Sequence, residues 1–383
     1  MTHRSLNFLP QHQNLRVLRL TTLTAVVGCI TLGSALLFQN GGNGRATISD
    51  TFASASFSTL PSQAAIAHPK VSSENAVVSV ELGSSIDSIR YYEQGSGRAF
   101  SLSLASRRTD VLSEKRLSGF LFSYWIPNSQ KVISAFQRPT GTDYRLFDYA
   151  TQQSSDIGSD FKSVAIAPDG RHIAFIKTND DDSHSIVVSW PNGSQQLERL
   201  NTRADDASLV WRTDDELVLI SRRPDRAGYD LSLLPPSGVP ETIISNKENL
   251  ETSWSPNGDY LLYSYFAPDV GVSLWLRSIR TGEEVALGVY TSAKKCAWHR
   301  TDLAITCGIP MRKSLSRDVI ADRTATIDDI YTYDFENNTT RLIYGGVSSS
   351  LIGVTEPLIS SSGAYFVFTN MFDSKLYTLP LEN

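Results

Sequence analysis

Histidine and cysteine are scarce in this chain, with six and three among 383 residues. There is no Cys-x-x-Cys pair, no phosphate-cradling glycine loop and no Gly-x-Ser-x-Gly nucleophile motif. Past residue 73 the only histidines are His172, His184 and His299, and no convergent His/carboxylate cluster can be assembled from them. No cofactor is expected. Neither charge sign is in excess: 35 Lys and Arg face 40 Asp and Glu, a net charge of −5. That balance excludes a large electrostatic grip on nucleic acid, and it is too mild for a polyanionic tail. Amphipathic helical periodicity is also missing after the first forty residues.

What is present is a hydrophobic content of 41% with 20% charged residues, which suits a chain with a real core. One apolar run, Leu20 to Phe38, carries no charge; its nineteen residues at ~1.5 Å each just span a ~30 Å hydrocarbon layer. Arg4, Arg16 and Arg19 precede it and only Arg45 follows soon after, which predicts an inside N-terminus and an outside remainder. An uncleaved anchor is favoured, since the run is long for a signal core and no small-x-small site follows Phe38 closely. A cleaved secretory signal is a second reading. A third is a lipoprotein signal with Cys29 as the modified residue, because Val26-Val27-Gly28-Cys29 resembles a lipobox, although Ile30 to Phe38 stays apolar. The expected divisions are a cytoplasmic segment over 1–19, the anchor or signal over 20–38, a flexible Gly/Ser/Ala-rich tether over 39–73, and a folded domain over 74–383.

The folded region repeats at a spacing of about 41 to 45 residues. Its unit is an apolar strand, a tight turn of the form x-Pro-Asp/Asn-Gly, and a second apolar strand. Trp254-Ser255-Pro256-Asn257-Gly258-Asp259-Tyr260 and Ile166-Ala167-Pro168-Asp169-Gly170-Arg171-His172 are the clearest copies. Weaker ones begin at Trp125, Trp211, Trp298 and Ile359. Proline presets φ at the first turn position, while Asp or Asn and then Gly accept the conformations that reverse the chain. A third strand follows each hairpin and several units continue to a short edge strand, and four strands at this period make one blade of a β-propeller. Asn75 to Glu114 supplies one more blade, and the last copy has only three strands. The missing strand is expected from Ala64 to Val71, closing the ring through the chain ends. The predicted fold is therefore all-β, a propeller of seven blades preceded by one transmembrane or signal helix. Six blades, with Val77–Leu82 completing the last one, is the alternative.

These Pro-Asp-Gly and Pro-Asn-Gly hairpins, each followed by a strand ending in an aromatic, resemble the propeller repeats of the TolB-like family and the N-terminal propellers of prolyl-oligopeptidase-type peptidases. The resemblance runs from about Val77 to the C-terminus and is specific for fold rather than function. It implies protein or ligand binding in the cell envelope and maps no catalytic residue. The small α/β domain that precedes the TolB propeller has no counterpart, and no hydrolase motif accompanies the repeats.

Cys296 and Cys307 register directly opposite each other across a hairpin, at the positions of Thr252 and Tyr263 one repeat earlier, and in an oxidising compartment a disulfide is expected. Two buried free thiols is the other reading. Trp125, Trp211, Trp254 and Trp298 share one repeat position and are expected to pack between blades. Loops between second and third strands collect charge at Thr178–Asp182 and at Arg222, Arg223, Asp225 and Arg226. Between Gly308 and Asp328 one blade carries an insertion holding Arg312, Lys313, Arg317 and Arg323. Long loops on rigid scaffolds are disproportionately functional, so these basic residues are the expected partner contacts. The expected function is a membrane-tethered binding module for other envelope proteins, facing the extracytoplasmic side, with the bacterial periplasm as the expected site. The alternative is a propeller enzyme, a lyase or lactone hydrolase, with a metal at the central channel.

Overall fold

The structure is a computed structural model that describes residues 67–223, 225–312, 325–346 and 351–381. The apolar run Leu20 to Phe38, Cys29, Lys313, Arg317 and Arg323 lie outside the described residues. Among the described residues no helix is long and apolar enough to cross a membrane.

Every repeat becomes an antiparallel four-stranded sheet, and there are seven of them. Blades 1 to 6 occupy residues 77–113, 120–159, 164–202, 205–247, 251–286 and 296–344 in chain order. Blade 7 takes three strands from residues 354–380, and its fourth is Lys70–Val71, which pairs with Leu376–Pro380 in the register Lys70↔Thr378 and Val71↔Tyr377. Ring closure by the two chain ends follows the sequence expectation. The six-bladed alternative fails because Val77–Leu82 opens a sheet of its own and pairs with Ser88–Glu93.

First strands line the axis: those of blades 1 and 2, 3 and 4, 6 and 7, and 7 and 1 lie against one another. Strand residues alternate sides, so each sheet offers one apolar face to each neighbour. The core is consequently a set of slabs between blades. Leu262 and Leu276 meet Ile305 and Tyr333 between blades 5 and 6, and Ile176 and Val188 meet Leu209 and Leu219 between blades 3 and 4. The shared tryptophans pin these slabs. Nε1 of Trp125, Trp211 and Trp298 donates to the first-strand carbonyl of the preceding blade, at Ser79 (2.9 Å), Ala165 (3.2 Å) and Ser253 (3.2 Å). Trp254 Nε1 finds no such partner.

The hairpin turns explain why the motif is written with glycine. Gly170 and Gly258 sit at φ +70° and +75°, and a Cβ on either would stand 2.8 Å from a carbonyl of the neighbouring blade, Pro127 or Arg212. Where blade 6 has no glycine, Asp302 takes the left-handed conformation at φ 58° and donates its N–H to His299 O, as Gly258 does to Ser255 O.

Candidate functional site

An up-and-down sheet has two kinds of end. First-to-second and third-to-fourth turns share one end of the ring, here the turn face. Second-to-third loops and the links between blades share the other, the crossover face. The turn face is largely committed to holding blades together. Arg90 Nη1 donates to Ser129 O (2.8 Å), Arg212 Nε to Gly258 O (2.7 Å) and Arg300 Nη1 to Ser361 O (3.0 Å), each reaching the next blade. At the closure, Ser362 N donates to Asp87 Oδ1 (3.0 Å) and Asp87 N to Ser361 Oγ (2.9 Å).

The crossover face holds a different feature. The blade 6 insertion springs from the ends of Ala304–Pro310 and Asp328–Asp334, whose ladder continues to a Met311 N–Ile327 O bond of 2.9 Å. Below it lies a buried ion pair, Lys295 Nζ to Asp328 Oδ2 at 2.8 Å, with the two side chains 3% and 0% exposed. Lys295 also donates to Thr326 Oγ1, and Thr326 Oγ1 donates to Asp328 Oδ1 (2.7 Å). Val354 N of blade 7 donates to Asp328 Oδ2 (2.8 Å). Lys295 arrives on a short 3-10 turn, Ala293–Lys295, whose cap Ser292 accepts from Lys294 N. The Ser292 hydroxyl donates in turn to buried Glu251 of blade 5, and Lys294 Nζ stands 3.3 Å from the same carboxylate. Blades 5, 6 and 7 are thus clamped where the insertion leaves the scaffold.

Asp329, next to the buried pair, accepts from Gly346 N (2.6 Å); burial holds its carboxyl above the usual range, and the Asp328 charge adds to that. The clamp escaped the sequence reading because Lys295 lies in the link before blade 6, Asp328 in that blade's third strand and Val354 in blade 7. The one available signal was a lysine and paired aspartates at the borders of an insertion.

The predicted site residues fall as follows. Cys296 and Cys307 form a disulfide between directly paired residues, Cα atoms 4.1 Å apart, and Thr252 pairs with Tyr263 in the blade before. The Arg222–Arg226 loop is locally neutralised: Arg222 pairs with Asp206, Arg223 with Asp225 (3.5 Å) and Arg226 with Asp230 (3.9 Å). Arg312 is exposed at the insertion's start. In the Thr178–Asp182 loop, Asp181 accepts from the hydroxyl (2.6 Å) and the N–H (3.1 Å) of Ser183, which hold its carboxyl below the usual range. The three histidines stand apart. His299 Nε2 lies 2.9 Å from Thr306 Oγ1 and burial lowers its pKa, His184 Nε2 is 3.0 Å from Lys162 Nζ, and His172 stacks beside Trp211 on the turn face. Among the described residues no three of His, Cys, Asp and Glu converge as metal ligands.

No protein-family model matches the chain, and no curated relative matches it. Solved structures do. An oligogalacturonate lyase in complex with manganese is similar at 12% identity and a TM-score of 0.62, over 85% of this chain and 96% of that one. The β-propeller domain of the trilobed protease from Pyrococcus furiosus is similar at 12% identity and a TM-score of 0.55, over 80% and 96%. TolB from Acinetobacter baumannii matches at 12% identity over 90% and 92%, with a TM-score of 0.44. At such identities the likeness is one of fold: the chain is a seven-bladed β-propeller.

Proposed function

We propose that this propeller is a binding module whose crossover face, around the blade 6 insertion, receives a partner protein of the cell envelope, with the chain tethered to the membrane by Leu20 to Phe38. The observation that carries the reading is the clamp. A buried Lys295–Asp328 pair is costly to desolvate, and here it fixes the C-terminal root of the longest inserted loop, at Thr326 and Asp328, with Val354 of blade 7 bound to the same carboxylate. Such an arrangement suits presentation of a loop on a rigid base. Arg312 stands on this loop, and its sequence adds Lys313, Arg317 and Arg323, so the matching partner surface is acidic. The Cys296–Cys307 disulfide supports an oxidising, extracytoplasmic location for the ring.

The test replaces 312–325 by a Gly-Ser-Gly turn, leaving Met311, Thr326 and Ile327 to keep the root. Cross-linking in whole cells followed by mass spectrometry then compares this variant with the native chain. Loss of one cross-linked envelope protein is expected; an unchanged set sinks the reading. Turnover that depends on an added divalent metal would favour the enzymatic alternative instead.

A further inference from the structure

Among the slabs between blades, the one between blades 1 and 2 holds the fewest buried apolar side chains. Its buried apolar members are Tyr92, Ala99, Trp125 and Val132, against the fourteen buried between blades 5 and 6. The remaining width is a cleft of about 310 Å³, at the small end of ligand-site volumes. Phe136 and Phe147 line it, and hydroxyls form its floor. Tyr149 Oη lies 2.7 Å from the oxygen of buried Tyr92, and Tyr92 faces the Ser123–Ser134 hydroxyl pair, itself 2.7 Å apart. Tyr149 is braced by stacking on Trp125 (5.7 Å) and by its edge contact with Phe147 (4.8 Å). Either phenol can be the donor of this pair; when Tyr92 donates, the Tyr149 O–H is left for a ligand. Burial pushes the Tyr149 hydroxyl's pKa upward, further from its ionised form.

The cleft's charge is of one sign. Exposed Lys115 and Arg116 stand at its edge with Arg145, and no carboxylate lines it. Arg145 is partly occupied by Asp156 (3.3 Å) and lies over the Phe136 ring at 5.3 Å. Among the described residues neither Lys115 nor Arg116 forms an ion pair within 4 Å; Glu93 feels the Arg116 charge from further off, and the adjacent Glu114 is bound to Arg98 (2.6 Å).

We infer that the cleft between blades 1 and 2 is a binding site for a small amphiphilic anion, a flat apolar body with a carboxylate-type head. The body lies between Phe136, Phe147 and Tyr149, and the head meets Lys115 and Arg116. This inference is independent of the partner-protein reading, because the cleft and the blade 6 insertion share no residue.

The probes are benzoate, 2-naphthoate and indole-3-acetate, each beside its neutral amide, titrated into the full chain by calorimetry and saturation-transfer NMR. Saturable binding of at least one carboxylate is expected, with the amide weaker by about tenfold or more, the scale of a charge-assisted hydrogen bond. The Lys115→Ala/Arg116→Ala double variant, altered only at exposed positions, should lose a similar factor while its thermal unfolding stays as in the native chain. Tyr149→Phe should weaken binding as well. The inference is overturned if no carboxylate saturates below ~10 mM, a range weaker than ordinary metabolite sites. It is equally overturned if the amides bind as well as the acids, or if the double variant binds as the native chain does.

Discussion

At the scale of single residues, the pairs that matter most join atoms whose separation would strand a buried group. Cys296 and Cys307 close a short loop, and the disulfide contributes on the order of 2–3 kcal/mol. Reduction, or Cys296→Ala with Cys307→Ala, should therefore lower the thermal unfolding midpoint by several degrees without changing the far-UV signature of the sheet. Lys295 and Asp328 behave differently. Lys295→Met leaves a buried carboxylate without its cation, a loss of about 3–5 kcal/mol. Adding Asp328→Leu to Lys295→Met should return part of that loss, and denaturant unfolding of the two single variants and the double measures the coupling. Asp87 makes a pH prediction. Burial raises its carboxyl, but hydrogen bonds from Ser362, Ser360 and Ser361 outweigh this and hold it below the usual range. Its stabilising contribution is therefore full above the ordinary carboxylate pKa and is lost as pH falls through the depressed folded value. Asp87→Asn, which tolerates the same left-handed φ of 51°, should be less stable than the native chain at neutral pH. The gap should shrink in acid, as read from unfolding midpoints between pH 7 and pH 2.

Among the elements, the hairpin turn is the unit the fold reuses. Its glycine answers two demands, a positive φ and a neighbouring carbonyl with no room for Cβ. Gly258→Ala should cost about 1–2 kcal/mol from the backbone alone and more from the approach to Arg212 O. Gly363→Ala, at φ +82° with open space beside it, isolates the backbone share, so the difference between the two unfolding free energies measures the blade contact. The turn was legible because Pro-Asn-Gly is a local instruction. The blade 6 insertion was legible only as extra length. Its usable boundaries were not, since Ile309 remains in the ladder opposite Asp329 and Thr326 belongs to the clamp. Excising Ile309 to Thr326 would remove structure along with loop, whereas replacement of 312–325 separates the two.

Over the whole molecule, stability rests on closure as much as on any blade. Lys70–Val71 provides two residues of ladder, reinforced by Ser72 N to Leu376 O (2.8 Å) and Leu376 N to Ser73 Oγ (3.0 Å). Some features were thus fixed by the amino-acid order alone: strands of period two, turns with their left-handed residues, the opposition of Cys296 and Cys307, and a fourth strand for blade 7 drawn from near Val71. All depend on interactions close along the chain or on one repeat laid over the next. The Lys295–Asp328–Val354 clamp, the neutralised Arg222–Arg226 loop and the cleft between blades 1 and 2 were decided only by the tertiary structure. They are built by side chains from different strands and loops, often different blades, and the ring brings these together without leaving any spacing in the sequence to record it.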